Sequence, residues 1–234
     1  MNKGQQSRAR IIDAAEKLFA EKGYAATSVQ DILDMLHISK GGFYHYFDTK
    51  MELLSEVCAR RTEEWYVSGV ENVRALRTGW VEKLNAAIKL MSMLDREGPM
   101  VGTIAEMGMM GEDASVMQKV RNTTLRLVTP LIAEILEAGM REGQFYLHRP
   151  AELAKLITML ALDVNEEALR EISANYDNPD CAYNVLQLLS AFRESIELIV
   201  NAPYGSIIIF DLAALVEAVT GIAARLNIRN ASNV

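Results

Sequence analysis

Thr27-Ser28-Val29-Gln30-Asp31-Ile32-Leu33-Asp34-Met35-Leu36-His37-Ile38-Ser39-Lys40-Gly41-Gly42-Phe43-Tyr44-His45-Tyr46-Phe47-Asp48-Thr49-Lys50 is the stretch on which the reading turns. Thr27 or Ser28 suits the N-cap of a helix, with Gln30 or Asp31 completing a capping box. Val29, Ile32, Leu33 and Leu36 then fall on one buried stripe. A tight turn at Leu36-His37-Ile38 leads to a second, very short helix beginning at Ser39. Two short helices joined in this way make a helix-turn-helix. In such a unit the second helix enters the DNA major groove and brings its early residues to base edges and phosphates.

The short helix carries the chemistry. Ser39 caps it and leaves backbone N–H groups at its start, where an anion is favoured. Lys40 supplies a cation there. Gly41 and Gly42 remove side-chain bulk, so that a duplex can come close. Each costs the helix about 1 kcal/mol relative to alanine, and an ordinary solvent-facing helix has no reason to carry that twice. Phe43 and Phe47, four residues apart, point into a small core. Tyr44 and His45 then face outward, offering a hydroxyl and an imidazole for phosphate or base contact. Lys50, opening the next helix, is placed to grip the phosphate backbone. His37 occupies a turn position that often needs positive φ, which histidine tolerates better than most non-glycine residues.

Outward from this unit, apolar residues recur at helical spacing almost everywhere. Ile11, Ile12, Ala15, Leu18 and Phe19 share one face of a helix that Gly23 ends. Thr49-Lys50-Met51-Glu52 opens a long helix through Leu53, Leu54 and Val57. Further helices read near residues 80–95, 99–110, 112–142, 150–172, 180–201 and 211–227. Gly143 is a stop signal, Pro130 a kink and Pro150 a first-turn proline. Ile207-Ile208-Ile209-Phe210 has the β-branching of a strand but no second strand to pair with, so it reads as a buried approach to the last helix. The expected fold class is all-α, with a three-helix DNA-binding unit over residues 1–50 and a larger helical domain over 51–234.

The 234 residues suffice for a real core without disulfide staples. Cys58 and Cys181 are too few and too far apart for a disulfide framework or a zinc site. A reducing, cytoplasmic setting is the default. The first eight residues lack the apolar core of a secretory signal. The longest run without charge, Leu198 to Phe210, is 13 residues long and contains Pro203 and Gly205, so no membrane span is expected. The net charge of −7 at first argues against nucleic acid. Residues 1–60, however, hold eight basic and eight acidic side chains, and all of the negative excess lies beyond them. A neutral head binds DNA if its cations share one face. Taken alone, the uneven charge reads as ordinary surface variation.

Residues 8–54 resemble the N-terminal DNA-binding domain of the TetR family of bacterial transcriptional regulators. The resemblance rests on Ile12, Ala14-Ala15, Leu18-Phe19, Gly23-Tyr24 and Thr27-Ser28. It continues through Ile32, Ile38-Ser39-Lys40-Gly41, Phe43-Tyr44-His45-Tyr46-Phe47, Lys50 and Leu53. It implies phosphate contacts from Thr27 and Ser28, a DNA-facing surface of Ser39, Lys40, Gly41, Tyr44 and His45, and a phosphate contact from Lys50. The pattern departs from the family at Leu33 and Leu36, where a small residue is usual, and at His37, where glycine is usual.

The resemblance further implies a C-terminal domain that binds a small-molecule effector and forms a homodimer on a palindromic double-stranded operator. Leu153, Leu156, Ile157 and Leu160 form one apolar stripe, and Val185, Leu188, Leu189, Phe192, Ile196 and Ile199 another. These stripes serve equally as a four-helix interface or as protomer core, and the resemblance favours an interface through Leu153, Ile157, Leu160, Leu188, Phe192 and Ile196. Eight of the 12 methionines lie between Met91 and Met140. Methionine adapts to varied apolar ligands, though at helical spacing it is also ordinary core filler. Trp65, Met91, Met107, Met110 and Met117 are the candidate effector residues. Asp163, Glu166, Glu167 and Glu171 read as a solvated face rather than a metal site, and Cys58 as a small buried residue. No phosphate loop, paired catalytic motif or metal-ligand spacing occurs, so neither an enzyme nor a cofactor is expected. The leading reading is a repressor released by a largely apolar effector. The alternatives are an activator, an effector-independent regulator, or a helical protein-binding scaffold without DNA binding.

Overall fold

The computed structural model describes residues 3–92, 114–210, 213, 215–217 and 219–221. α1 (Lys3–Lys22) buries Ile11, Ile12, Ala15, Leu18 and Phe19, and Gly23 leaves it at φ 82°. Ser28, not Thr27, caps α2 (Val29–Leu36). Its hydroxyl accepts from the Asp31 N–H at 3.1 Å, and the Asp31 carboxylate accepts from the Ser28 N–H at 2.7 Å. Asp31 rather than Gln30 therefore closes the box, while Gln30 bonds Asp34. His37 ends α2 in the left-handed region at φ 52°, as its turn position requires. α3 (Lys40–Tyr44) is capped by Ser39, whose Oγ accepts from the Gly42 N–H at 3.2 Å. Thr49 caps α4 (Lys50–Ala75), but Glu52 reaches one residue further back than in a closed box, accepting from the Asp48 N–H.

The rest is α5 (Trp80–Leu90), α6 (Ala114–Arg141), α7 (Pro150–Asn175) and α8 (Cys181–Val200), with helical residues beyond 213. Every described element is a helix, so the fold is all-α. The helix expected at 99–110 lies outside the described residues, as do residues 211, 212, 214, 218 and 222–227 of the one expected at 211–227. Pro150 occupies the first turn of α7, where its missing N–H leaves no intrahelical bond unmade.

Residues 201–210 form a non-helical strap that turns at Tyr204-Gly205 and runs without helix or turn over 206–210. Ile207 and Ile209 are buried and Ile208 is exposed, the alternation of a strand. In place of a partner strand, the Asn85 side-chain amide accepts from the Ile208 N–H at 3.1 Å and donates to the Ser206 carbonyl at 3.0 Å. Glu197 accepts from the Ile207 N–H.

Two hydrophobic cores result. The N-terminal core gathers Ile11, Leu18, Ile32, Phe43, Phe47 and Leu53, and extends along α4 through Val57 and Cys58. It also takes in Val116 and Val120 from α6. The larger core lies among α4, α5, α6, α7 and α8. α4 and α6 thus each run through both cores.

Candidate nucleic-acid interface

Phe43 and Phe47 are fully buried, and this fixes the rotation of α3. Ser39, Lys40, Gly41, Tyr44 and His45 are consequently exposed together on its outer side, with Tyr44 44% exposed. Ser28 is exposed at the start of α2. A Cβ added at Gly41 would meet nothing within 4 Å, and one at Gly42 would meet only Ser39 Oγ at 3.4 Å and Ile38 Cβ at 4.0 Å. Packing within the protein therefore does not call for glycine at position 41.

Two of the expected phosphate contacts point inward instead. Thr27 is 1% exposed, and its hydroxyl donates to the Gly23 carbonyl at 2.8 Å, with the Leu18 carbonyl at 3.3 Å. A buried hydroxyl so engaged has no face for DNA. Lys50 donates to the carbonyls of Tyr24 at 2.9 Å and Thr27 at 2.7 Å, with its ammonium 4.2 Å from the Tyr24 ring centroid. Burial lowers its pKa, opposed by the charge of Asp31. Lys50 thus fastens the start of α4 to the loop between α1 and α2. Hydrogen bonds from the Ser28 hydroxyl and backbone, and then from Lys22, hold the Asp31 carboxyl well below the usual carboxylate range.

Ion pairs that were not legible in the sequence brace the same unit. Arg60 bonds Asp13 at 2.5 Å and also Glu16, tying α4 to α1. Glu56 on α4 accepts from Arg8 on α1 at 2.7 Å and from Lys119 on α6 at 2.5 Å. Burial works to raise the Glu56 carboxyl, but the bonds from Lys119 and Arg8 prevail and leave it below its ordinary value. Cys58 is buried in the same core, which pushes its thiol up to about 12.

The effector candidates separate. Met91 lies in the larger core and Trp65 packs against it, its indole N–H 3.5 Å from the Leu90 carbonyl. Met117 packs instead against the N-terminal core, because the first turns of α6 belong to that core. Met107 and Met110 lie outside the described residues. Among the dimer candidates, Ile157, Phe192 and Ile196 are buried within the protomer and offer a second copy no surface. Leu153, Leu160 and Leu188 are half-buried. The large hydrophobic side chains that α7 and α8 do expose are Leu156 at 54%, Tyr183 at 60% and Leu198 at 83%. Asp163 and Glu166 pair with Arg121, and Glu167 with Arg170, so the acidic run on α7 is an ion-paired surface. Among the described residues no helix is long and apolar enough to cross a membrane.

Residues 11–57 match the family of bacterial regulatory proteins described as the tetR family. The chain is 28% identical over 164 residues to the HTH-type transcriptional repressor KstR2 of Rhodococcus jostii, covering 63% of this chain and 72% of that protein. It is 39% identical over 61 residues to an uncharacterized HTH-type transcriptional regulator in the lacX 3' region of Lactococcus lactis, covering 26% of this chain but only 31% of the relative. Among solved structures, RolR in complex with resorcinol superposes with a TM-score of 0.58 over 95% of both chains at 19% identity, a likeness of fold.

Proposed function

The chain belongs to the TetR family of bacterial regulatory proteins, and from that premise we propose that it is a cytoplasmic repressor of transcription. In this reading it binds a palindromic double-stranded operator as a homodimer and leaves it when a small, largely apolar effector enters the helical body. The family and the relatives are transcriptional regulators, not enzymes. A helix-turn-helix contacts only a few base pairs, and a two-fold pair of heads spaced by one helical turn reads a palindrome.

The observation that carries the DNA-binding surface is Gly41. It is exposed, helical and surrounded by open space, so it weakens α3 with no compensating contact inside the protein. The partner that needs the missing side chain is external, and the surrounding Ser39, Lys40, Tyr44 and His45 supply a cation and hydrogen-bonding groups for phosphate and base edges. Ser28 adds a hydroxyl from α2. Thr27 and Lys50 hold this surface in place from behind.

Trp65 and Met91 in and against the larger core are the described residues we assign to the effector side. α4 and α6 would carry its signal, since both pass from that core into the head. An effector acts only by preferring the state that does not fit DNA. Selection of bound duplexes from a random pool, at low ionic strength and without effector, tests the central claim. Enrichment of a palindrome supports it, and a pool that stays random overturns it.

A further inference from the structure

Three buried polar atoms at one end of α8 have no hydrogen-bond partner: Arg193 Nε, Glu197 Oε2 and Ser206 Oγ. They belong to a single neighbourhood. Arg193 and Glu197 are one helical turn apart and therefore share a face of α8. The other Glu197 oxygen accepts from the Ile207 N–H at 3.1 Å, next in sequence to Ser206. Arg193 reaches the same strap, donating to the Tyr204 hydroxyl at 3.2 Å and lying 5.1 Å from its ring centroid. Glu197 is only 4% exposed, so bulk water does not solvate its free oxygen.

An unsatisfied buried donor or acceptor is destabilising, and more so when it is charged. A direct bond from Arg193 Nε to Glu197 Oε2 would relieve two of the three. The guanidinium is instead drawn to Tyr204 and Glu194, and that bond is not made. We propose that this turn of α8 and the overlying strap form a binding site for one hydroxyl-type oxygen, that of a water molecule or of an alcohol or phenol.

The donor inventory selects that class. Nε–H only donates and a carboxylate oxygen only accepts, whereas Ser206 Oγ does either. A carbonyl or carboxylate oxygen accepts from Arg193 but has nothing to give Glu197. An ammonium gives to Glu197 but takes nothing from Arg193. A hydroxyl oxygen does both and keeps a third direction for Ser206. Enclosed waters make about three hydrogen bonds of this kind. The occupant would join α8 to the strap beside the bonds from Asn85, and the site does not depend on the chain being a repressor.

A high-resolution crystal structure of the full chain, grown without added ligand, gives the first reading. An isolated oxygen within hydrogen-bond distance of both Arg193 Nε and Glu197 Oε2 is expected. The second is titration of the labelled protein with phenol, followed by the Arg193 Nε–H resonance, assigned by its loss in Arg193→Lys. A saturable shift identifies the site as one for an alcohol or phenol. No shift, together with the oxygen in the crystal, identifies a lodged water, and both results support the proposal. A direct Arg193–Glu197 bond, or a gap with no oxygen and no response to phenol, overturns it. DNA binding measured on the same samples reports separately on the regulator reading.

Discussion

The ammonium of Lys50 sits 4.2 Å from the ring centroid of Tyr24 and donates to that residue's own carbonyl at 2.9 Å. With a second bond to Thr27, two of its three protons are committed to the loop between α1 and α2. Lys50→Met should therefore lower the stability of the protein by about 1.5–3 kcal/mol, the range for hydrogen bonds that involve charged groups. The slope of log affinity for DNA against log salt should change by less than one. Denaturant unfolding and a salt series measure the two effects. An unaltered unfolding midpoint, with a slope flattened by about one per subunit, would move Lys50 to the phosphate backbone.

Gly41→Ala separates folding from recognition. The added methyl meets only open space, and alanine is the better helix former, so the variant should gain about 0.5–1 kcal/mol of stability. Its affinity for DNA should fall, because the same methyl stands where the duplex approaches. Thermal unfolding and a binding titration on one preparation are enough. A variant that is stabilised and binds as tightly as the parent would remove Gly41 from the interface.

The N-terminal head was legible because its signals are local. Cap, stripe, turn and buried aromatic pair all lie within 24 residues, and the position of His37 predicts its left-handed φ, observed at 52°. Lys50 and Thr27 show where local reading ends. Their residue types suit a phosphate, but Thr27 turns back to the carbonyls of Gly23 and Leu18, and Lys50 reaches that of Tyr24, 26 residues away, which only tertiary folding brings near. The stripes of α7 and α8 meet a related limit. Periodicity identifies a buried face without saying what buries it, and for Ile157, Phe192 and Ile196 the burying surface is the protomer itself. Spacing places Leu156 in its stripe although it is exposed, and Leu198, outside the stripes, stands next to the stripe residue Ile199.

Glu56 makes a pH dependence calculable in sign. Its carboxyl titrates below the ordinary value when folded, where Lys119 and Arg8 hold the anion. The unfolded state therefore takes up its proton first as the pH falls. The stabilisation is complete above the unfolded value of about 4.3 and is lost as the pH drops through the lower, folded value. The stability difference between the parent and Glu56→Gln should be constant between about pH 6 and pH 8 and should shrink below about pH 4.3. Unfolding curves across that range are the measurement, and a difference that grows toward acid would reverse the assignment. Because the triad joins α1, α4 and α6, Glu56→Gln should also weaken the response of DNA binding to any effector.

Association through α7 and α8 is testable with a pair of substitutions chosen by exposure. Leu198 projects from α8 at 83% exposure, whereas Ile196, two residues away, is fully buried. A charge at 198 is solvated in the protomer and buried without a partner only if a second copy covers it, at a cost of several kcal/mol. Leu198→Glu should therefore leave the helical content and unfolding cooperativity of the chain intact while shifting sedimentation toward the monomer. It should also abolish tight binding to a palindrome but not to a half-site. Ile196→Glu should unfold the body whatever its oligomeric state, because the charge enters the core. If Leu198→Glu sediments as the parent does, the interface lies elsewhere on the molecule, and the same measurement on Leu156→Glu decides whether α7 contributes to it.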